Sequence, residues 1–179
     1  IGMAKCESGV RVAPECEVSE VLDGSCITDH TPFCDEFWST RLGDKSGKCV
    51  VYSFGTANAF QVEVVFAEAG CVVHTFDPTV RSRQQNEAYA QSLGRNFKFH
   101  FVGIGRNTVN SGATSGPIMT LSDIEKLILK PMRRSGEGTA GKEGSSLTVL
   151  KMNCEGCEWK ALHQIATETP ELLDNVHTI

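Results

Sequence analysis

The sequence of 179 residues has little of what marks nucleic-acid-binding or membrane-spanning chains. Its 17 Lys and Arg residues are outnumbered by 22 Asp and Glu residues, and the formal net charge is −5. Non-specific binding to DNA or RNA needs a basic surface, which this balance does not provide. No run reaches the roughly eighteen apolar residues of a membrane span, because polar residues interrupt even the most apolar region, residues 57–76. We expect no nucleic-acid partner and no transmembrane segment in this chain.

Paired cysteines of the kind that hold structural zinc are also nearly absent. The only CxxC is formed by Cys154 and Cys157, and neither a second pair nor suitably spaced histidines accompany it. A structural zinc site takes four such ligands. The sequence therefore predicts no metal site.

The cysteines that are present favour an oxidising environment. Four of the eight lie in an early segment with few periodic apolar residues, which needs a covalent restraint to hold it in place. We predict at least one disulfide among these four, and a secretory, extracellular or organelle-lumen location. The chain begins with Ile1 rather than Met, which leaves open whether a targeting segment precedes it. The four early cysteines are Cys6, Cys16, Cys26 and Cys34.

Length and composition suit one globular domain that follows an irregular segment. Hydrophobic residues make up 40% of the chain and charged residues 22%, both close to the globular average. Residues 1–46 contain Pro14, Pro32 and scattered glycines without a sustained period, whereas apolar runs begin at Cys49. We predict an irregular, cysteine-containing lead-in over residues 1–46 and one domain over residues 47–179.

Short apolar runs alternate with helical patterns in the predicted domain. Such alternation predicts an α/β fold, a doubly wound parallel sheet covered by helices on both faces. Within the last helix, Trp159, Leu162 and Ile165 are expected to form the buried side. His74 and His100 fall inside strands and are interpreted as structural groups. The predicted strands cover residues 49–53, 71–76, 96–102, 147–152 and 175–179, and the predicted helices cover residues 58–69, 81–93, 121–128 and 157–167.

Three strand ends carry residues suited to a ligand. Gly55 follows the first strand, Asp77 the second, and a polar segment from Asn153 the fourth. Ligands of doubly wound sheets bind at the carboxyl ends of the strands, and a carboxylate there can hold the hydroxyls of a ribose. A glycine lets the backbone approach the ligand closely. The pyrophosphate-binding GxGxxG is absent, which favours a ligand with adenosine but no diphosphate.

Four motifs lie at these positions. They are Cys49-Val-Val-Tyr-Ser-Phe-Gly55, Gly70-Cys-Val-Val-His-Thr-Phe-Asp77-Pro78, Phe99-His-Phe-Val-Gly103 and Leu150-Lys-Met-Asn-Cys-Glu155-Gly-Cys-Glu-Trp159. In these motifs the chain resembles the S-adenosylmethionine-dependent methyltransferases of the FkbM type, and the resemblance covers roughly residues 34–179. It implies a Rossmann-like fold of the class I methyltransferase type with strand order 3-2-1-4-5, in which the last of the usual seven strands are missing from this chain.

The resemblance also implies S-adenosylmethionine as the cofactor and a role for each matching residue. The implied cofactor-binding residues are Ser53, Phe54 and Gly55 at the methionine part, Asp77 with Pro78 at the ribose, and Val102 with Gly103 at the adenine. The implied catalytic residues, which face the sulfonium and the methyl acceptor, are Asn153 and Glu155.

Two functions follow, and the sequence leaves both open. The first is O-methyl transfer to a small-molecule or carbohydrate acceptor. The second is a non-catalytic methyltransferase-fold subunit with a structural or binding role in a larger, membrane or organellar, assembly of proteins. Asn153 stands where the family usually has Asp, and an amide keeps the shape but loses the charge and the basicity. The adjacent CxxC is interpreted as a local disulfide or two free thiols rather than a thioredoxin-like dithiol, because Glu155 and Gly156 belong to the methyltransferase pattern.

Overall fold

The computed structural model describes residues 10–11, 33–34, 49–57, 59–79, 83–110, 115–130, 147–174 and 176. Within the predicted lead-in it describes only an antiparallel pair of short strands, β1 (Val10–Arg11) and β2 (Phe33–Cys34). The predicted disulfide among the early cysteines lies outside the described residues, as does the boundary near residue 47. Both stay predictions.

The domain alternates strands and helices as expected. Two short strands, a π-helical turn and a 3₁₀ turn are added to the predicted set. In chain order the elements are β3 (Val50–Phe54), α1 (Gln61–Glu68), β4 (Val72–Phe76), α2 (Arg83–Ser92), β5 (Phe97–His100), β6 (Gly103–Ile104), β7 (Ile118–Met119), α3 (Leu121–Ile124) continued by a π-helical turn (Glu125–Leu129), β8 (Leu147–Met152), α4 (Cys157–Glu168) and a 3₁₀ turn (Pro170–Leu173).

The main sheet has four parallel strands in the order β5-β4-β3-β8. Numbered along the chain, these are strands 3-2-1-4 of the predicted sheet, so this part of the predicted order is confirmed. Every residue of β3 and β4 is buried, which places these two apolar strands at the centre. The register aligns Phe54 with Phe76 and with Met152, so the carboxyl ends of the three strands are level.

Helices cover both faces of the sheet, as the α/β prediction requires. Side chains at alternate positions of β3 point to opposite faces. Tyr52 and Phe54 pack with Leu121 of α3 and Ile165 of α4 in one cluster. Val51 packs on the other face, in a second cluster that contains residues of α1 and α2. The domain is therefore a doubly wound α/β fold.

The predicted third strand differs from the structure, and the predicted fifth strand lies almost entirely outside the described residues. The third was expected over residues 96–102 but ends at His100, where the Val102 N–H donates to the His100 carbonyl at 2.8 Å. The chain turns there because β6 pairs with β7, a contact distant in sequence. Of the fifth strand, residues 175–179, only Val176 is described; it lies outside any strand and donates to the Leu173 carbonyl at 3.0 Å.

The helix ends follow local sequence signals. Gly70 and Gly94 adopt φ values of +92° and +93° just beyond α1 and α2, in the left-handed region that glycine enters without strain. The Thr120 hydroxyl caps the start of α3 and accepts a hydrogen bond from the Asp123 N–H at 3.1 Å.

Trp159 was expected on the buried side of α4, and that expectation is wrong. The indole side chain is 77% exposed, whereas Ala161, Gln164 and Ile165 are the buried residues of the helix. Trp159 precedes Ala161 by two residues, about 200° around the helix axis, so the two point to opposite sides. Leu162 is partly buried against the same cluster as Ile165, as expected.

The two strand histidines form a pair. His74 Nδ1 lies 3.0 Å from His100 Nε2, and the two rings are stacked with centroids 5.3 Å apart. Burial, aided by the positive charge of Lys98, lowers the pKa of His100 to about 4. His100 is therefore uncharged near neutral pH, as suits its place within the sheet.

A disulfide joins Cys49 to Cys71 at the amino ends of the two central strands. Both residues are buried, and their Cα atoms are 4.7 Å apart. The bond encloses β3 and α1 in one covalent ring.

None of the helices in the described ranges is long and apolar enough to span a bilayer.

Candidate active site

Backbone hydrogen bonds tie together the loops that follow β3, β4 and β8. The Gly55 N–H donates to the Phe76 carbonyl at 2.9 Å, and the Asn153 N–H donates to the Phe54 carbonyl at 2.9 Å. The structure therefore brings the sequence-predicted residues of three separate motifs to one edge of the sheet. The Phe54 ring itself stacks on Phe76 in the core, with centroids 4.5 Å apart, so only its backbone reaches this edge.

Gly55 is a position that a residue with a Cβ could occupy only with strain. Its φ is +78°, and a Cβ at this position would lie 2.0 Å from the Asn153 carbonyl oxygen and 3.1 Å from the Cys154 Cα. The sequence predicted that this glycine lets a ligand approach. In the structure, the space beside its Cα is filled by the loop after β8.

Asp77 is buried, with 2% of its surface exposed, and links two loops. Its Oδ2 accepts a hydrogen bond from the Ala57 N–H at 2.8 Å. Its Oδ1 accepts from the Thr79 N–H at 2.9 Å and the Thr79 hydroxyl at 2.7 Å. A carboxylate offers about four lone-pair positions. The carboxylate is thus already engaged at three of them.

Pro78, Val102 and Gly103 lie together beside Asp77. A Cβ on Gly103 would be 2.9 Å from Pro78 Cγ and 2.6 Å from Ile118 Cδ1. The Pro78 carbonyl accepts a hydrogen bond from the Gly116 N–H at 2.6 Å. The segment around β7 therefore packs over the positions that the resemblance places beside an adenine.

Asn153 and Glu155 are exposed on the loop between β8 and α4. Glu155 has φ +53° and Gly156 has φ +100°, so two successive residues are left-handed. A disulfide between Cys154 and Cys157 closes this turn, which is one of the two alternatives left open by the sequence.

A known family of methyltransferase domains matches residues 24–179, most of the chain. The chain belongs to this methyltransferase domain family. The level strand ends and the parallel order agree with that membership. Comparisons with curated proteins and with solved structures found no match. The family match starts inside the predicted lead-in.

Glu158 holds the site loop of the methyltransferase domain in place. Its Oε1 accepts from the Cys154 N–H and its Oε2 from the Gly156 N–H, both at 2.7 Å. Backbone hydrogen bonds, from its own N–H first, hold the pKa of Glu158 below its usual value, and partial burial opposes the shift. No catalytic or cofactor-binding role was predicted for Glu158 from the sequence.

Glu158→Gln is expected to destabilise the domain at neutral pH and to have a smaller effect in acid. A carboxyl whose pKa is lowered on folding stabilises the fold above its unfolded pKa, here 4.5, and that stabilisation is lost as the pH falls through the folded pKa. Thermal unfolding of both proteins at pH 7 and about pH 3 measures the difference, with the exposed Glu171→Gln as the matched control. A difference in Tm that is the same at both pH values would contradict the assignment.

A buried charge cluster lies under the same edge of the methyltransferase domain. Glu63 of α1 is 1% exposed, and its Oε1 accepts from the Ser53 hydroxyl at 2.5 Å. The Lys151 ammonium lies 3.2 Å from that same oxygen. Ser53 and Lys151 are register partners on β3 and β8, so the cluster joins α1 to two strands.

The side chain of Ser53 belongs to this buried cluster and not to the loop that follows β3. Its hydroxyl is directed to α1, so only the backbone of Ser53 is near the strand end. Sequence reasoning missed Glu63 and Lys151, although each is a charged residue within an otherwise apolar helix face or strand. A buried charge needs a partner, and that rule is the signal that could have paired them.

Thr56 supplies an orphaned polar group at the centre of the edge. It is 3% exposed, and its hydroxyl has no hydrogen-bond partner in the described part of the chain. The helix that follows, α1, begins after Phe60 without a side-chain cap. A buried hydroxyl without a partner is costly unless a ligand or water satisfies it.

Proposed function

We propose that this methyltransferase domain is of the FkbM type and transfers a methyl group from S-adenosylmethionine to a hydroxyl of a small molecule or carbohydrate. Methyltransferase domains of this family generally use that cofactor. The observation that carries the proposal is the meeting of Gly55, Asp77 and Asn153 at one sheet edge, beside the orphaned hydroxyl of Thr56.

The residues at this edge fit such a cofactor. Thr56 offers a buried hydroxyl in need of a partner, and the backbone of Gly55 adjoins it. Asp77 retains about one lone-pair position for a ribose hydroxyl. In our proposal the partly buried Pro78 packs against the adenine ring, and the buried Val102 borders it.

The chemistry assigned to the chain is alignment and proton removal. S-adenosylmethionine supplies an electrophilic methyl group. In-line displacement depends mainly on orientation of the two reactants. In our proposal Asn153 orients the acceptor through its amide, and the exposed carboxylate of Glu155 accepts the proton of the acceptor hydroxyl.

A second candidate is a non-catalytic subunit of a protein assembly. Asn153 in place of the usual acid favours it, and so do the internal hydrogen bonds of Asp77.

For either function we propose an oxidising compartment, since the structure contains disulfides.

Calorimetric titration with S-adenosylmethionine tests the proposed cofactor. We expect saturable binding, and in Asp77→Asn a loss of at least tenfold, about 1.4 kcal/mol, because the amide loses the charge and half of the acceptor capacity. Circular dichroism checks that the variant is folded, and the exposed Asp174→Asn is the matched control. Absence of binding by the folded wild-type domain would leave the non-catalytic candidate.

Asn153→Asp separates an active site from a decayed one. If Asn153 orients the acceptor in a working enzyme, the added charge lowers methyl transfer to the acceptor by tenfold or more, since the amide donor is lost. A higher turnover in the variant would instead identify an ancestral acid that this chain has lost. Turnover is measured as S-adenosylhomocysteine released, with Asn107→Asp on an exposed loop as the control.

A further inference from the structure

Three metal-ligating groups cluster at the start of α4. The sulfur atoms of Cys154 and Cys157 and a carboxylate oxygen of Glu158 lie within 4.8 Å of one another, and each residue is half-buried. We propose that the reduced protein binds one thiophilic divalent cation of the zinc class through these three groups. The proposal does not rest on the proposed methyl transfer.

The backbone already has the shape that such a site needs. The Cα atoms of Cys154 and Cys157 are 5.5 Å apart. Two thiolates on a tetrahedral ion with Zn–S bonds of about 2.3 Å lie ~3.8 Å apart. Rotation of the two side chains supplies that separation. The left-handed residues Glu155 and Gly156 turn the chain so that both cysteines face the same side.

The third ligand is fixed before any ion arrives. Two backbone N–H groups, those of Cys154 and Gly156, hold the two oxygens of the Glu158 carboxylate. A carboxylate offers about four lone-pair positions, and these two hydrogen bonds take two of them. Support of this kind orients a ligand and raises the affinity of a metal site.

The donor set selects the class of ion. Thiolates prefer zinc and similar soft cations to magnesium or calcium. With three protein ligands, the fourth position of a tetrahedral ion is left to water.

Reduction must come before binding, because the structure holds the two sulfurs as a disulfide. A dithiol reductant supplies two electrons and two protons; the S–S bond breaks, two thiols form, and the reductant becomes a disulfide. Metal binding then releases the two thiol protons.

The Cys49–Cys71 disulfide resists reduction better than the Cys154–Cys157 disulfide. Both of its cysteines are buried, and it closes a longer ring: the sequence separation is 22 for Cys49–Cys71 and 3 for Cys154–Cys157.

The test measures zinc bound by the folded chain in its two redox states. The protein is reduced with a dithiol, which is then removed without air, and zinc is titrated against a chromophoric chelator. We expect the reduced protein to bind one zinc ion more than the oxidised protein, and one more than reduced Cys154→Ser/Cys157→Ser. Cobalt in place of zinc should give a thiolate-to-metal charge-transfer band that the double variant lacks.

Glu158→Gln separates this site from zinc held by other cysteines. We expect at least tenfold weaker binding at the extra site, whereas Glu171→Gln should bind as the wild type does. Equal zinc content in the reduced protein and the double variant would overturn the proposal. So would equal zinc binding by the oxidised and reduced wild-type protein, which needs no variant to fold.

Discussion

Gly55→Ala is expected to lower the free energy of unfolding by about 2–5 kcal/mol. A left-handed φ costs a residue with a Cβ about 1–2 kcal/mol, and forcing an extra carbon into a packed site costs a further 1–3 kcal/mol or so. Here φ is +78°, and the new Cβ would be 2.0 Å from the Asn153 carbonyl oxygen. The backbone must therefore move at the point where β3 meets the loop after β8. Equilibrium unfolding in denaturant measures the loss.

Gly70→Ala is the matched control for that change. Gly70 has φ +92°, but a Cβ there meets nothing within 4 Å. It therefore carries the conformational cost alone, about 1–2 kcal/mol. The excess loss in Gly55→Ala reports the collision with Asn153. Equal losses in the two variants would show that the loop after β8 does not press on Gly55.

Glu63→Gln is expected to lower the free energy of unfolding by about 3 kcal/mol. The change keeps the size of the side chain but removes the carboxylate that faces Lys151 and Ser53. The Lys151 side chain is only 14% exposed, and removal of one member of a buried ion pair is strongly destabilising. Unfolding in denaturant, followed by fluorescence, gives the difference.

An exposed ion pair in the same domain provides the comparison. Arg83 Nε and Glu87 Oε1 are 3.0 Å apart, but the two side chains are 54% and 42% exposed. Glu87→Gln should therefore cost less than about 1 kcal/mol. The double change Glu63→Gln/Lys151→Met should recover part of the loss, because both charges are then absent. A loss in Glu63→Gln no larger than in Glu87→Gln would refute the role of the buried pair.

The central strands could be predicted from the sequence to within one residue. Residues 49–53 and 71–76 were predicted, and β3 (Val50–Phe54) and β4 (Val72–Phe76) are observed. Continuous apolar runs between turn residues are a local signal of strands buried on both faces. The end of β5 could not be predicted in this way, because the turn after His100 depends on the pairing of β6 with β7, a contact that no local pattern encodes.

The sequence predicted which residues meet at the site edge, because the carboxyl ends of parallel strands lie on the same side. It could not predict what those residues contact. The Asp77 carboxylate is held by Ala57 and Thr79, and Gly55 is held by Asn153. The conformations of the loops determine which groups contact Asp77 and Gly55. Those conformations depend on hydrogen bonds across the whole edge of the sheet, and the residue types alone do not specify them.

The Cys49–Cys71 disulfide makes the two ends of the sheet mechanically unequal. At the amino ends of β3 and β4 a covalent bond fixes the spacing of the central strands. At the carboxyl ends the described loop residues are joined by hydrogen bonds, such as those of Gly55 with Phe76 and of Asn153 with Phe54. Separation of β3 from β4 is therefore opposed by a covalent bond at their amino ends, whereas hydrogen bonds and packing oppose it at the site edge. The weaker restraint thus lies at the edge where we propose that the ligand binds.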